Sequence, residues 1–290
     1  MRRLAFSHVL SLVSAWSLII PQAAPAQATF PPVALPRTEV RRLQSRGVGV
    51  EYKLYVSLPR GYEENQRDYP VVLLLDADYS FALARNIVEH LSDRGDLPQA
   101  VLVGIAYGGP EAYRKNRTRD YTPTFVPTGG YGPEYQAVSG GGPRFRDFIA
   151  HELVPFLDHA YRVSTRRYLV GHSYGGLFAT WVALTDPELF SGYVIVSPSL
   201  WYDDGLIFSL EEEVARRHPD WPARAYLIVG DREINQQHNM VADLRRLATT
   251  LERRHYPGLQ LRWEVAADET HNSIFPRGLS NGLRFVLGGR

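Results

Sequence analysis

Tyr168-Leu169-Val170-Gly171-His172-Ser173-Tyr174-Gly175-Gly176 joins an apolar run to a helix-like run that begins at Leu177. Apolar residues leading into Gly-x-Ser-x-Gly predict a strand, a sharp turn and a helix, the arrangement known as a nucleophile elbow. The turn holds Ser173 in a strained conformation. Gly171 and Gly175 lack a Cβ, so strand and helix can approach closely there. The Ser173 hydroxyl is then expected to project above the sheet edge, at the positive end of the following helix. His172, one residue earlier, is expected to point away from a substrate and to be structural. A serine hydroxyl is a weak nucleophile until a base takes its proton. The chain must therefore supply a histidine and an acid in a suitable order.

Outward from this stretch, strand-like and helix-like patterns alternate. Upstream, residues 39–43 read as an edge strand, and 51–59 alternate with period two as a half-exposed strand does. Residues 70–76 and 100–106 are near-continuous apolar runs, typical of strands buried on both faces. Residues 81–91 read as a helix ending near Gly95. Between 107 and 142 the chain is rich in Gly, Pro, Tyr and Arg, too long for an ordinary connection and so read as a functional loop. Residues 144–161 carry Phe145, Phe148, Ile149, Leu153, Val154, Phe156 and Leu157 at helical spacing. Downstream, 176–184 form the helix after the elbow, and strands follow at 192–196, 223–229 and 259–266. Ser209 and Glu212 read as a capping box for a helix running to Arg217, with the acidic run at 211–213 as its start. Helices at 239–254 and 278–287 complete the chain. This alternation predicts an α/β fold: a mostly parallel, twisted central sheet, helices on both faces, and an antiparallel N-terminal edge where two strands join without a helix.

The composition excludes several classes. With 44% hydrophobic and 22% charged residues, the 290-residue chain is globular, not disordered. Its formal charge of +1 includes Arg2 and Arg3, and no basic surplus marks a nucleic-acid partner. Arg2-Arg3, an apolar run from Leu4 to Ile20 and Ala26-Gln27-Ala28 read as a secretory leader cut before Thr29. The expected organisation is thus a signal peptide at 1–28, a Pro-rich linker at 29–38 and a catalytic domain at 39–290. The mature protein would be periplasmic or secreted, without stable membrane insertion. A membrane anchor is the alternative, but the run is short for one and small residues follow it instead of a basic stop. The absence of Cys excludes disulfides, thiolate metal sites, a lipoprotein anchor and Cys catalysis. No His/Asp/Glu set has metal-ligand spacing and no phosphate loop occurs, so neither metal nor cofactor is expected. Oligomeric state is not legible.

In an α/β sheet, reacting groups sit on loops beyond the C-terminal strand ends. The chain order for the α/β-hydrolase arrangement is Ser, acid, His. Of the histidines after Ser173, His218 and His255 sit near helix ends and read as surface residues. His238 follows the strand at 223–229. His271 follows the last strand, where a general base belongs. The acid should come from Val229-Gly230-Asp231-Arg232-Glu233. Glu233 is favoured, Asp231 is the alternative, and Asp268 and Glu269 are weaker candidates. An oxyanion hole would take the backbone N–H of Tyr174 and that of Asp78, in the Asp76-Ala77-Asp78-Tyr79-Ser80 loop. Arg117, Arg119, Trp201 and Tyr79 are candidate substrate contacts. A guanidinium offers fork hydrogen bonds and stacking, and Trp201 would wall an acyl or aromatic pocket. Arg119 and Asp120 have a structural alternative, a pair that shapes the loop.

With these residues in place, the sequence resembles an esterase family of α/β-hydrolases that includes esterase D-type enzymes, feruloyl esterases and bacterial siderophore esterases. The resemblance rests on Leu75-Asp76-Ala77-Asp78, Arg119-Asp120-Tyr121-Thr122-Pro123, Phe145-Arg146-Asp147-Phe148-Ile149, Gly171-His172-Ser173-Tyr174-Gly175-Gly176, Ser197-Pro198-Ser199-Leu200-Trp201 and His271-Asn272-Ser273. It covers nearly all of 39–287. The Arg-Asp-Tyr-Thr-Pro stretch and the leader look most like the periplasmic hydrolases that linearise enterobactin-type trilactones. The resemblance implies serine ester hydrolysis through an acyl-enzyme, on a small-molecule ester. In that subgroup Ser and His dominate and the acid can be weak or absent, so Glu at 233 leaves triad and dyad both open. A broad-specificity carboxylesterase and a non-catalytic binding protein on the same fold are the competing readings.

Overall fold

The computed structural model describes residues 33–217 and 220–288. The expected signal peptide, the first part of the expected linker and His218 lie outside these residues. Residues 35–290 form one compact unit.

Eight strands form one sheet in the order β1-β2-β4-β3-β5-β6-β7-β8. β1 (Thr38–Gln44) and β2 (Glu51–Ser57) pair antiparallel, and β2 pairs antiparallel with β4 (Val101–Ala106). From there the pairing is parallel through β3 (Tyr69–Leu74), β5 (Val163–His172), β6 (Gly192–Val196), β7 (Arg224–Gly230) and β8 (Gln260–Ala266). β3, β4 and β6 are buried along their whole length, as their unbroken apolar runs require.

Helices cover both faces. α1 (Ala77–Asp93) and α9 (Ile274–Leu287) pack Phe81, Val88, Leu279 and Leu283 against one face. α4 (Gly142–Phe148), α5 (Val154–Ala160), α6 (Tyr174–Thr185), α7 (Tyr202–Arg217) and α8 (Met240–Arg254) cover the other. A wider π turn over Ile149–Leu153 separates α4 from α5. Pro155 lies just beyond it, and a proline that cannot donate to the preceding turn accounts for the wider winding.

Three expectations need correction. The stretch read as a loop at 107–142 contains α2 (Pro110–Tyr121) and the short α3 (Pro133–Gln136), both opened by a Gly-Pro pair. α2 escaped the apolar pattern because its buried face is polar, with Arg117, Thr118 and Asp120 inside. The loop after β3 is also shorter than expected. Asp76 adopts a left-handed conformation (φ 57°) and α1 begins at once, so Asp78 and Tyr79 lie in its first turn. The capping box at Ser209 does not open a helix. α7 already runs through it, after a left-handed turn at Asp203–Gly205. Glu211 is buried and accepts from Arg254 (3.0 Å) and Tyr256 (2.8 Å), tying α7 to the end of α8.

Candidate active site

Strain gathers at the C-terminal rim of the sheet. Asp76 after β3, Ser173 after β5, Ser197 after β6 and Asp268 after β8 all have positive φ without being glycine. Such conformations persist only where surrounding structure enforces them. At Ser173 (φ 60°, ψ −118°) the enforcing contact is backbone on backbone. A Cβ on Gly171 would lie 2.1 Å from the Gly175 carbonyl oxygen, and one on Gly176 would lie 3.0 Å from Pro198 Cα. Only glycines let β5 turn this tightly into α6. Ser173 is therefore the N-cap of α6, and the Tyr174 N–H lies in a first turn that has no carbonyl four residues back within the helix. Asp78 is the second residue of α1, one place further in than Tyr174 is in α6, and its N–H likewise lies in a first turn.

Two further loops converge on this rim. Gly230-Asp231-Arg232-Glu233 is a tight turn after β7, closed by Glu233 N–H to Gly230 O at 3.2 Å. Gly230 has no room for a Cβ, which would sit 2.3 Å from Glu269 O. That close approach lays the loop after β8 on the loop after β7, with Arg232 N–H donating to Glu269 O at 3.1 Å. Glu233 and His271 meet as a result: His271 Nδ1 is 2.6 Å from Glu233 Oε2. The other carboxylate oxygen accepts from Ser197 Oγ at 2.5 Å and from the Gly230 N–H at 2.7 Å. With its side chain 1% exposed, Glu233 is fixed from three directions. The other acid candidates have different settings. Asp231 is exposed, Asp268 pairs with Arg232, and Glu269 accepts from Ser273 Oγ.

Two clefts share Ser173, His271 and Asn272. The first, of about 430 Å³, is lined further by Ser199, Trp201, Glu233, Ile234 and His238. Trp201 and His238 form a flat wall there, with ring centroids 4.0 Å apart and planes 12° from parallel. The second, of about 330 Å³, is lined by Tyr79, Tyr113, Arg117, Tyr131, His172 and Phe275. His172 thus faces the cleft, contrary to the sequence reading. Burial first, then the neighbouring His271 and the Arg117 guanidinium, lower its pKa to about 3. The ring is neutral at any ordinary pH.

The substrate-contact candidates divide. Trp201 lines the first cleft; Tyr79 and Arg117 line the second. Arg117 is not a free fork, however. Its Nε and Nη2 close on Asp76 at 2.9 and 3.1 Å, and its Nη1 donates to Tyr131 Oη at 2.7 Å. Tyr113, Tyr121, Tyr131 and Tyr174 surround the guanidinium. Arg119 lines neither cleft. It pairs with buried Asp120 at 2.7 Å, which also accepts from Tyr52 and Tyr107, so here the loop-shaping alternative describes the structure. Arg117→Met is expected to cost about 3–5 kcal/mol of stability, because Asp76 would remain as a buried charge without its partner. A urea unfolding midpoint unchanged from wild type would contradict this.

Ser197, His172 and Tyr131 were not singled out as site residues from the sequence, and His238 entered only as an alternative base. Each is placed by a partner distant in the chain, so local pattern carries no sign of them. What the assembled groups can do is clear from chemistry. An imidazole oriented by a buried carboxylate, beside a strained serine at a helix N-terminus, is an arrangement that activates a hydroxyl and stabilises an oxyanion.

The family model described as "Putative esterase" matches residues 45–261. The chain belongs to this esterase family. Among curated relatives of this esterase, the ferri-bacillibactin esterase BesA of Bacillus subtilis is 31% identical, covering 87% of this chain and 90% of its own. The siderophore enterobactin esterase of Emericella nidulans is 27% identical, covering 81% and 89%. Among solved structures, an IroE-like serine hydrolase from Shewanella oneidensis superimposes with a TM-score of 0.77 at 31% identity, covering 86% of this chain and 80% of that one. The esterase therefore has the α/β-hydrolase fold, with the antiparallel N-terminal edge on an otherwise parallel sheet.

Proposed function

We propose that this esterase is a serine hydrolase acting through an acyl-enzyme. Ser173 attacks the ester carbonyl and His271 takes the serine proton through Nε2. Glu233 holds the ring by Nδ1 and stabilises the imidazolium. The N–H groups of Tyr174 and Asp78 receive the oxyanion. His271 then returns the proton to the leaving alcohol, and water releases the acyl group by the same path. The observation that carries this reading is the 2.6 Å contact between His271 Nδ1 and a buried Glu233, on loops that share their clefts with Ser173.

The substrate we propose is a siderophore-type ester, trilactones included. Two clefts with aromatic walls are both lined by Ser173, giving room for a bulky acyl part and a bulky alcohol part. Relatives named as siderophore esterases support the same class. Trp201 and Tyr79 would contact aromatic parts of such a substrate. Arg117 would contribute through the tyrosine cluster it organises. The leader-like sequence at 1–28 supports a periplasmic or secreted site of action.

A panel of purified substrates tests this. Catecholate trilactones, in iron-bound and iron-free forms, are expected to be hydrolysed with kcat/KM at least about tenfold above that for a simple acetate ester, the discrimination a well-fitted apolar pocket supplies. Equal turnover of short acyl esters with no trilactone cleavage would make it a general carboxylesterase.

A further inference from the structure

His172 has a task that the hydrolytic steps leave unassigned. It ends β5, so its main chain is continuous with the elbow. Its ring, however, is bonded to the opposite loop. Nε2 lies 2.8 Å from the main-chain oxygen of His271. A carbonyl only accepts, so Nε2 carries the proton. Nδ1 of the neutral ring is then an acceptor, and Tyr79 Oη donates to it at 3.1 Å. The ring also lies against the His271 ring, with centroids 4.5 Å apart and planes 35° from parallel, and is backed by Phe275 at 5.7 Å. On the other side, Arg117 Nη2 reaches the His172 carbonyl at 3.4 Å. The residue before the nucleophile is therefore clamped to the main chain of the residue that carries the base.

We infer that His172 is a positioning residue, whose Nε2–H fixes the main chain of His271 and whose ring fixes the plane of the His271 imidazole relative to Ser173. The inference rests on the reading of Ser173 as nucleophile and His271 as base. Glu233 alone holds His271 by one ring nitrogen, which leaves the ring free to swing about that bond. The His172 contact supplies a second point on the main chain and a flat surface beside the ring. A reacting serine and base must be held to a fraction of an ångström, because a misplacement of about 1 Å can cost roughly a hundredfold in rate. A neutral ring also suits this place: His271 becomes a cation during the reaction, and a second cation 4.5 Å away would oppose it.

His172→Phe keeps the ring volume and the stacking but removes both hydrogen bonds. It is expected to lower kcat roughly 10- to 100-fold with KM within about twofold. The rate at which a fluorophosphonate labels Ser173 should fall by the same factor. The downfield proton NMR signal of the His271–Glu233 hydrogen bond should broaden or vanish. His172→Gln can present its side-chain N–H to the His271 carbonyl and should recover most of the loss. His172→Met, of similar length and without a donor, is read in the same way should the Phe form not fold. A wild-type kcat and a sharp downfield signal in the Phe or Met form would overturn the inference. So would kcat, KM and melting temperature all worsening together with no recovery in the Gln form, the signature of packing alone. If wild-type protein itself is not labelled at Ser173, the hydrolytic reading fails and takes the inference with it. Equal labelling rates in wild type and the Phe form sink the inference alone.

Discussion

Ser173→Ala is expected to lower kcat by about a million-fold while leaving the protein folded. The methyl group fits where the hydroxyl was, since the Ser173 side chain makes no capping hydrogen bond to α6. The strained turn is enforced by Gly171 and Gly176, not by the serine, so the elbow survives the change. What disappears is the atom that forms the acyl bond in the proposed mechanism. Oxyanion stabilisation and binding alone leave a residue of catalysis over water of about 10³- to 10⁴-fold. Ester hydrolysis that persists within tenfold of wild type would remove Ser173 from the mechanism. Unchanged ester binding with lost turnover is the expected split.

Glu233→Gln should lower kcat by roughly 10⁴-fold. Glutamine can keep the acceptor that Ser197 and the Gly230 N–H use. At the other position it would present an N–H₂ group to His271 Nδ1, where the carboxylate now sits at 2.6 Å. The ring would answer by moving its proton to Nε2, the nitrogen that accepts from serine in the proposed mechanism. The substitution thus inverts the tautomer without opening a cavity. This separates the two readings the sequence left open. A loss smaller than about tenfold would mean that serine and histidine suffice and that Glu233 only ties two loops together.

The sequence carried the sheet and the elbow because both write themselves into local pattern. A strand buried on two faces must be apolar throughout, and a turn in which a Cβ would meet backbone at 2.1 Å must be glycine. The contact of Glu233 with His271 was legible for a related reason: three residues past a strand-ending glycine, a tight turn can aim a carboxylate inward. The rest was hidden by partners far away in the chain. Arg117 looked like a fork free to hold substrate because Asp76, its fork partner, precedes it by 41 residues. His172 looked structural because the carbonyl it holds lies 99 residues on. α2 was invisible because it buries charge instead of a hydrophobic stripe, and the spacing at Ser209 matched a helix start although it falls within a helix already running.

The most direct test is covalent. Purified protein that hydrolyses an activated ester should be treated with a fluorophosphonate, digested and mapped by mass spectrometry. The expected result is a single adduct on the peptide carrying Ser173, with parallel loss of esterase activity and no adduct in Ser173→Ala. Active, folded protein that gains no adduct at Ser173, or that keeps its activity once Ser173 is modified, would contradict the account.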